Sequence, residues 1–167
     1  MELRHFAEKP VTLDRERTYD PSYKEGRSPF AKPTGLWISD ESDYGWRKWC
    51  HDQEFRVGAL EHEYEVKLTI GTQPLLLLST ADQVRDFSAR FGYVEDYGGG
   101  MNLQHRGIDW AAVRRELAGV FITPYQWELR FELDWYYGWD VASGCVWNLS
   151  VIESMEPVTR PAIEAVS

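Results

Sequence analysis

Segments with the two-residue period of strands bracket a helical middle, and no regular alternation of strand and helix joins them. Tyr64, Val66, Leu68 and Ile70 alternate with Glu65, Lys67 and Thr69, the pattern of a strand with one dry and one wet face. Gly71-Thr72-Gln73-Pro74 stops it before the apolar run Leu75 to Leu78, a buried-type strand. Thr80 followed by Gln83 is a capping-box start. Val84, Phe87, Ala89 and Phe91 then supply an apolar face before Gly92, a helix of about three turns. Asp109 opens a second helix, with Trp110, Val113 and Leu117 on one face and Gly119 as its stop.

Earlier in the chain, Glu2 to Ala7 and Gly35 to Ser39 read as short strands, and Tyr44, Trp46, Trp49 and Cys50 as a short helix. Later, Val120 to Thr123 is a strand, Leu129, Phe131, Leu133 and Trp135 alternate as a further one, and Cys145 to Ile152 forms the last. Strands at both ends with helices between predict an α+β domain with a mixed sheet, and argue against a doubly wound parallel sheet. One domain over residues 1–155 and a flexible tail over 156–167 is the expected division. Residues 14–34, with Asp20-Pro21-Ser22 and Gly26-Arg27-Ser28-Pro29, read as a long surface loop. Tyr97-Gly98-Gly99-Gly100 reads as a flexible connection; no Lys-Ser/Thr follows, so it is not a phosphate loop.

Composition narrows the function classes. With 167 residues and 43% hydrophobic content, one domain can bury a core without metal or disulfide support. The formal charge of −9 repels phosphate backbones and anionic membranes, so no extended surface for duplex nucleic acid is expected. Cys50 and Cys145 form no disulfide framework and no CxxC pair, and His51, His62 and His105 have no mutual metal spacing. Apolar runs such as Leu75 to Leu78 fall far short of a membrane span, and the N-terminus lacks the pattern of a secretory signal. A cytoplasmic location is the resulting expectation. Eight tryptophans and nine tyrosines suit a packed core and a flat-ring ligand site equally.

Arg4-His5-Phe6, followed by Lys32-Pro33-Thr34-Gly35-Leu36-Trp37-Ile38-Ser39 and a short helix, resembles the first two motifs of ADP-ribosyltransferases. The order is similar to the His-Tyr-Glu branch, which includes diphtheria toxin and the poly(ADP-ribose) polymerases. The resemblance implies a split mixed sheet and NAD as substrate. It implies His5 on the adenosine-side ribose, and Gly35, Trp37 and Ser39 as the motif that grips the nucleotide. Trp37 stands where the family has Tyr, and the chain has no Glu-x-Glu signature near its end. The third motif therefore falls in Leu133 to Cys145, with Asp140 as the first choice of acid and Glu128, Glu132 and Asp134 as weaker ones. Arg47 or Lys48 would reach the pyrophosphate.

The chemistry of such a site is specific. Breaking the nicotinamide–ribose bond places positive charge on the ribose carbon, which a carboxylate stabilises more in the transition state than in the ground state. Asp140 and His5 are thus the expected catalytic residues, and His5, Gly35, Trp37 and Ser39 the nucleotide-binding ones. ADP-ribose would pass to an unknown macromolecular acceptor or to water. Two other readings stay open: an acidic, aromatic-rich interaction or inhibitor protein without enzymatic activity, and a carbohydrate-processing fold using Asp134 and Asp140 as paired carboxylates.

Overall fold

A computed structural model describes residues 1–25, 28–96 and 104–159. In chain order the elements are β1 (Leu3–Ala7), β2 (Leu36–Asp40), α1 (Trp46–Asp52), β3 (His62–Leu68), β4 (Leu75–Leu78) and α2 (Ala81–Phe91). These are followed by β5 (Gly92–Asp96), β6 (Gln104–Ile108), α3 (Trp110–Glu116), β7 (Gly119–Ile122), α4 (Asp134–Tyr137), β8 (Ser143–Val146) and β9 (Ile152–Pro157). The architecture is α+β, as expected. A seven-stranded sheet runs in the order β4-β7-β8-β2-β1-β3-β9, and β5 and β6 form a separate hairpin. Among the described residues, the β4–β7 pair alone is parallel, which makes the sheet mixed.

Alternation along the strands builds two cores. Trp37, Val120, Ile122 and Cys145 pack on one side with α2, α3 and α4, where Trp110, Trp135 and Trp139 are each 1% exposed. Leu36, Ile38, Phe121 and Val146, their neighbours by one residue, pack on the other side with Leu3, Val66 and Ile152. The helix at Thr80 begins as its sequence requires: the Gln83 N–H donates to Thr80 Oγ1 at 3.2 Å, and the Thr80 N–H to Gln83 Oε1 at 3.2 Å.

Several expectations change. The alternation from Leu129 to Trp135 is not a strand but a 3₁₀ turn (Trp127–Leu129) leading into α4. Leu129 and Leu133, four apart, are buried and joined by a backbone bond of 3.1 Å, while Phe131 between them is 84% exposed. The spacing is helical, and a period of two merely coincides with it. The run from Cys145 to Ile152 is two strands, parted where the Trp147 and Asn148 N–H groups both donate to the Ala118 carbonyl and Asn148 caps a 3₁₀ turn. The second helix ends at Glu116, and Gly119 opens β7.

Pairing also passes the point where a tail was expected, since β9 runs to Pro157 and the Val158 N–H donates to the Glu63 carbonyl. The described part of residues 14–34 has no helix or strand and is mostly exposed, as expected of a surface loop, but it forms a strap anchored to the body at its later end: Arg114 donates to the Glu25 carboxylate at 3.2 Å and to the Thr34 carbonyl at 2.7 Å, and the Trp110 indole donates to the Ala31 carbonyl at 2.9 Å. Tyr97-Gly98-Gly99-Gly100, Gly26-Arg27 and residues 160–167 lie outside the described residues. Among the described residues, no helix is long and apolar enough to cross a membrane.

Candidate functional site

β1 and β2 are in register only at Leu3 with Asp40 and Arg4 with Ser39. Beyond Arg4, β1 follows β3 alone, with His5 opposite Tyr64. Where the two strands part, a side chain takes over the bonding: His5 Nδ1 lies 2.8 Å from the Trp37 carbonyl oxygen. A cleft of about 280 Å³ opens there, lined by Arg4, His5, Phe6, Lys32, Trp37, Ile38, Ser39, Trp46, Trp139, Asp140, Val141 and Ser143. His5, Trp37, Ser39 and Asp140, which the sequence singled out, thus share one cavity.

A carbonyl only accepts, so Nδ1 carries the hydrogen and Nε2 is left as an acceptor. Burial pushes the His5 pKa below its ordinary value, against the weaker opposing pull of the Trp37 carbonyl, which keeps the ring neutral at pH 7.

Trp37 is half-buried in β2, opposite Cys145 of β8. Its ring meets the edge of Trp139 at 4.8 Å, and Trp139 in turn stacks on Trp110 at 6.3 Å and meets Trp135 at 6.1 Å. The Trp139 indole donates to the Ser143 carbonyl at 3.2 Å. This aromatic wall fixes the residue that precedes Asp140. The backbone that follows is fixed too: the Ala142 N–H donates to the Tyr44 carbonyl at 3.0 Å, and the Ala142 carbonyl accepts from the Asp40 N–H at 2.8 Å. Asp140 is thereby held on a rigid segment at the mouth of β8.

Two cations approach Asp140, Lys32 Nζ at 3.5 Å and Arg130 Nη2 at 3.7 Å. Lys32 Nζ also stands 5.6 Å from the centre of the Trp37 ring. Arg4, the other cation lining the cleft, is held by Glu63 at 3.2 Å and Glu2 at 3.0 Å. A second, more open recess of about 390 Å³ adjoins the first and shares Phe6, Trp37 and Trp46 with it, adding Ala7, Glu8, Arg56 and Ala59. Those three aromatic side chains border both recesses.

Other expected residues fall elsewhere. Gly35 does not line the cleft; a Cβ there would stand 2.6 Å from the Val146 carbonyl oxygen and 2.7 Å from Cys145 Sγ, so the glycine serves close packing against β8. Ser39 lines the cleft, but its hydroxyl is already used: it accepts from the Trp46 N–H at 2.8 Å and donates to Glu41, which ties β2 to the start of α1. Arg47 binds Glu63 and covers the Phe6 ring, and Lys48 pairs with Asp52 at 3.0 Å, so neither lines the cleft. Glu132 binds Arg85 at 2.8 Å, and Asp134 accepts from the Arg106 N–H at 2.8 Å. Asp134 does not line the cleft that holds Asp140, so the two are not a carboxylate pair across it.

Lys32, Trp139 and Arg4 are among the lining residues to which sequence reasoning gave no role. Each flanks a residue or motif it did choose, and that adjacency was the available signal. Among the described residues, no group of three or more His, Cys, Asp or Glu side chains is placed to hold a metal ion. Comparison of this chain with protein-family profiles, with curated proteins and with solved structures finds no match in any of the three.

Proposed function

We propose that the cleft is a nucleotide site of ADP-ribosyltransferase type, which cleaves the nicotinamide–ribose bond of NAD and passes ADP-ribose to a macromolecular acceptor or to water. The observation that carries this reading is the convergence of His5, Trp37 and Asp140 on one cavity. The order of parts supports it as well: a histidine on the first strand, an aromatic on the neighbouring strand, a helix directly after it, and an acid just before a strand that pairs with the second. The parting of β1 from β2 suits a split sheet.

Each side chain has a task it is built to perform. Trp37 offers a ring face to a flat heterocycle. His5, with Nδ1 committed to the backbone, presents Nε2 as acceptor for a ribose hydroxyl. Asp140 supplies negative charge where the ribose carbon becomes electron-poor, on a backbone that needs no rearrangement during the reaction.

The test is incubation of the protein with NAD carrying a label in its ADP-ribose portion, together with cell lysate. Release of nicotinamide, with label moving to protein, nucleic acid or free ADP-ribose, is the expected result. No nicotinamide release and no NAD-induced rise in melting temperature would overturn the reading.

One observation favours the interaction-protein alternative. Trp127, Phe131 and Tyr137 are 55%, 84% and 52% exposed, with Tyr44 against Trp127 at 5.1 Å and Phe131 against Tyr137 at 6.0 Å. Exposed aromatic rings on a protein of charge −9 suit docking to a basic partner.

A further inference from the structure

The ammonium of Lys32 occupies the space that the proposed reading reserves for the nicotinamide end of the substrate. It stands over the Trp37 ring at 5.6 Å and beside Asp140 at 3.5 Å. An aromatic face and a carboxylate around one positive charge make a cation box, and the chain fills it with its own side chain. The chain also leaves room for this. Gly138, which ends α4, has no side chain, and a Cβ there would come within 3.1 Å of Lys32 Cε.

The geometry points to Lys32 as a tethered occupant of a cationic subsite, which a flat, positively charged ring displaces on binding. The proposal rests on the reading of the cleft as an NAD site and deepens it. The subsite selects the oxidised, pyridinium form of the nucleotide, because exchanging one positive charge for another leaves the balance around Asp140 unchanged. A neutral dihydropyridine or free nicotinamide would instead leave the carboxylate with one cation, Arg130, in place of two. Among the described residues the Lys32 ammonium has these two contacts, and the side chain is 43% exposed, so its withdrawal into solvent costs little.

The charge exchange also bears on Asp140. With Lys32 in place, the carboxylate faces two cations, and its field at the ribose is weakened. With Lys32 displaced by the charged ring, the second positive charge at Asp140 belongs to the substrate and disappears as nicotinamide leaves neutral, so the carboxylate then faces the electron-poor ribose carbon with Arg130 alone beside it. Lys32 is a specificity and positioning residue here, acting through the occupancy of the box.

The probe is the 1-methylnicotinamide cation, which has the charged ring without ribose or phosphate, and its control is neutral nicotinamide. Each is titrated into isotope-labelled wild-type and Lys32→Met proteins, with the Trp37 indole NMR signal followed. Removing the built-in competitor should tighten binding of the cation roughly tenfold, as a cation–π contact and an exposed ion pair together allow, and change nicotinamide binding by less than about twofold. Adding Asp140→Asn to Lys32→Met should abolish the gain.

Equal binding of the cation by wild type and Lys32→Met would overturn the proposal. So would an equal gain for nicotinamide, which would mean only that space was freed. Failure of Lys32→Met to bind the cation at all would remove the subsite itself. Nicotinamide release from NAD by the wild type is scored separately, so failure of the enzymatic reading and failure of the Lys32 proposal give different results.

Discussion

His5 Nδ1 donates to the Trp37 carbonyl oxygen at 2.8 Å, so the imidazole closes the gap that opens between two strands of the sheet. Burial depresses its pKa from the ordinary 6.5, against the smaller opposing effect of that carbonyl. The unfolded chain therefore takes up a proton more readily than the folded one. The stabilisation from a neutral His5 is whole above about pH 6.5 and is lost as pH falls through the lower folded value. Denaturant titrations of wild type and His5→Gln from pH 7.5 to 5 should show a stability gap that narrows toward acid. A gap independent of pH would mean that His5 does not titrate as its burial requires.

Asp140→Asn keeps the shape of the side chain and removes its charge. Under the proposed function, kcat for nicotinamide release should fall by about 100-fold or more, with NAD affinity changed only a few-fold, because the charge is needed mainly in the transition state. Steady-state kinetics together with equilibrium binding separates the two. An unchanged kcat would take Asp140 out of the reaction.

Arg114 pins the strap at Glu25 and Thr34. Its guanidinium meets Glu25, whose side chain is 3% exposed, and also reaches Thr34 and the face of Trp147 at 4.8 Å. Arg114→Met leaves a buried carboxylate without its partner and should cost about 3 kcal/mol or more in urea denaturation. Pairing Arg114→Met with Glu25→Gln should recover part of that loss, because no bare charge then stays buried. A loss below about 1 kcal/mol in the single variant would show that the strap is held by packing alone.

Both cysteines are fully buried. Burial pushes the Cys50 thiol up to about 11 and the Cys145 thiol further still. Since the thiolate is the reactive form, a thiol reagent at pH 8 should modify neither residue in the native protein and both in denaturant. Rapid native labelling of either one would contradict its placement.

Strands and caps were legible wherever a local rule decides the outcome. Tyr64 to Leu68 alternates because one face of β3 is dry, and Thr80 with Gln83 forms its capping box whatever surrounds it. Leu129 to Trp135 misled because leucines four apart with a phenylalanine between them satisfy a period of two as well as a turn of helix. The β5–β6 hairpin escaped notice because Gly92 reads equally well as a helix stop and as the first residue of a strand.

At the site, Asp140 was legible from its position after an aromatic run and before an apolar strand. Gly35 belongs to the same stretch as Trp37, yet its missing side chain answers to Cys145 and Val146, which are remote in sequence. The placement of Lys32 depends on reach through space, from a strap held by Arg114 to an acid more than a hundred positions away, and no local pattern encodes that.

The strand order carries a consequence for how the protein comes into being. β8 lies between β7 and β2, so the two halves of the sheet have no bridge until residues 143–146 have left the ribosome. Asp140 emerges just ahead of them. A stalled translation product that already displays His5 and Trp37 consequently lacks both the carboxylate of the cleft and the strand that joins β2 to β7.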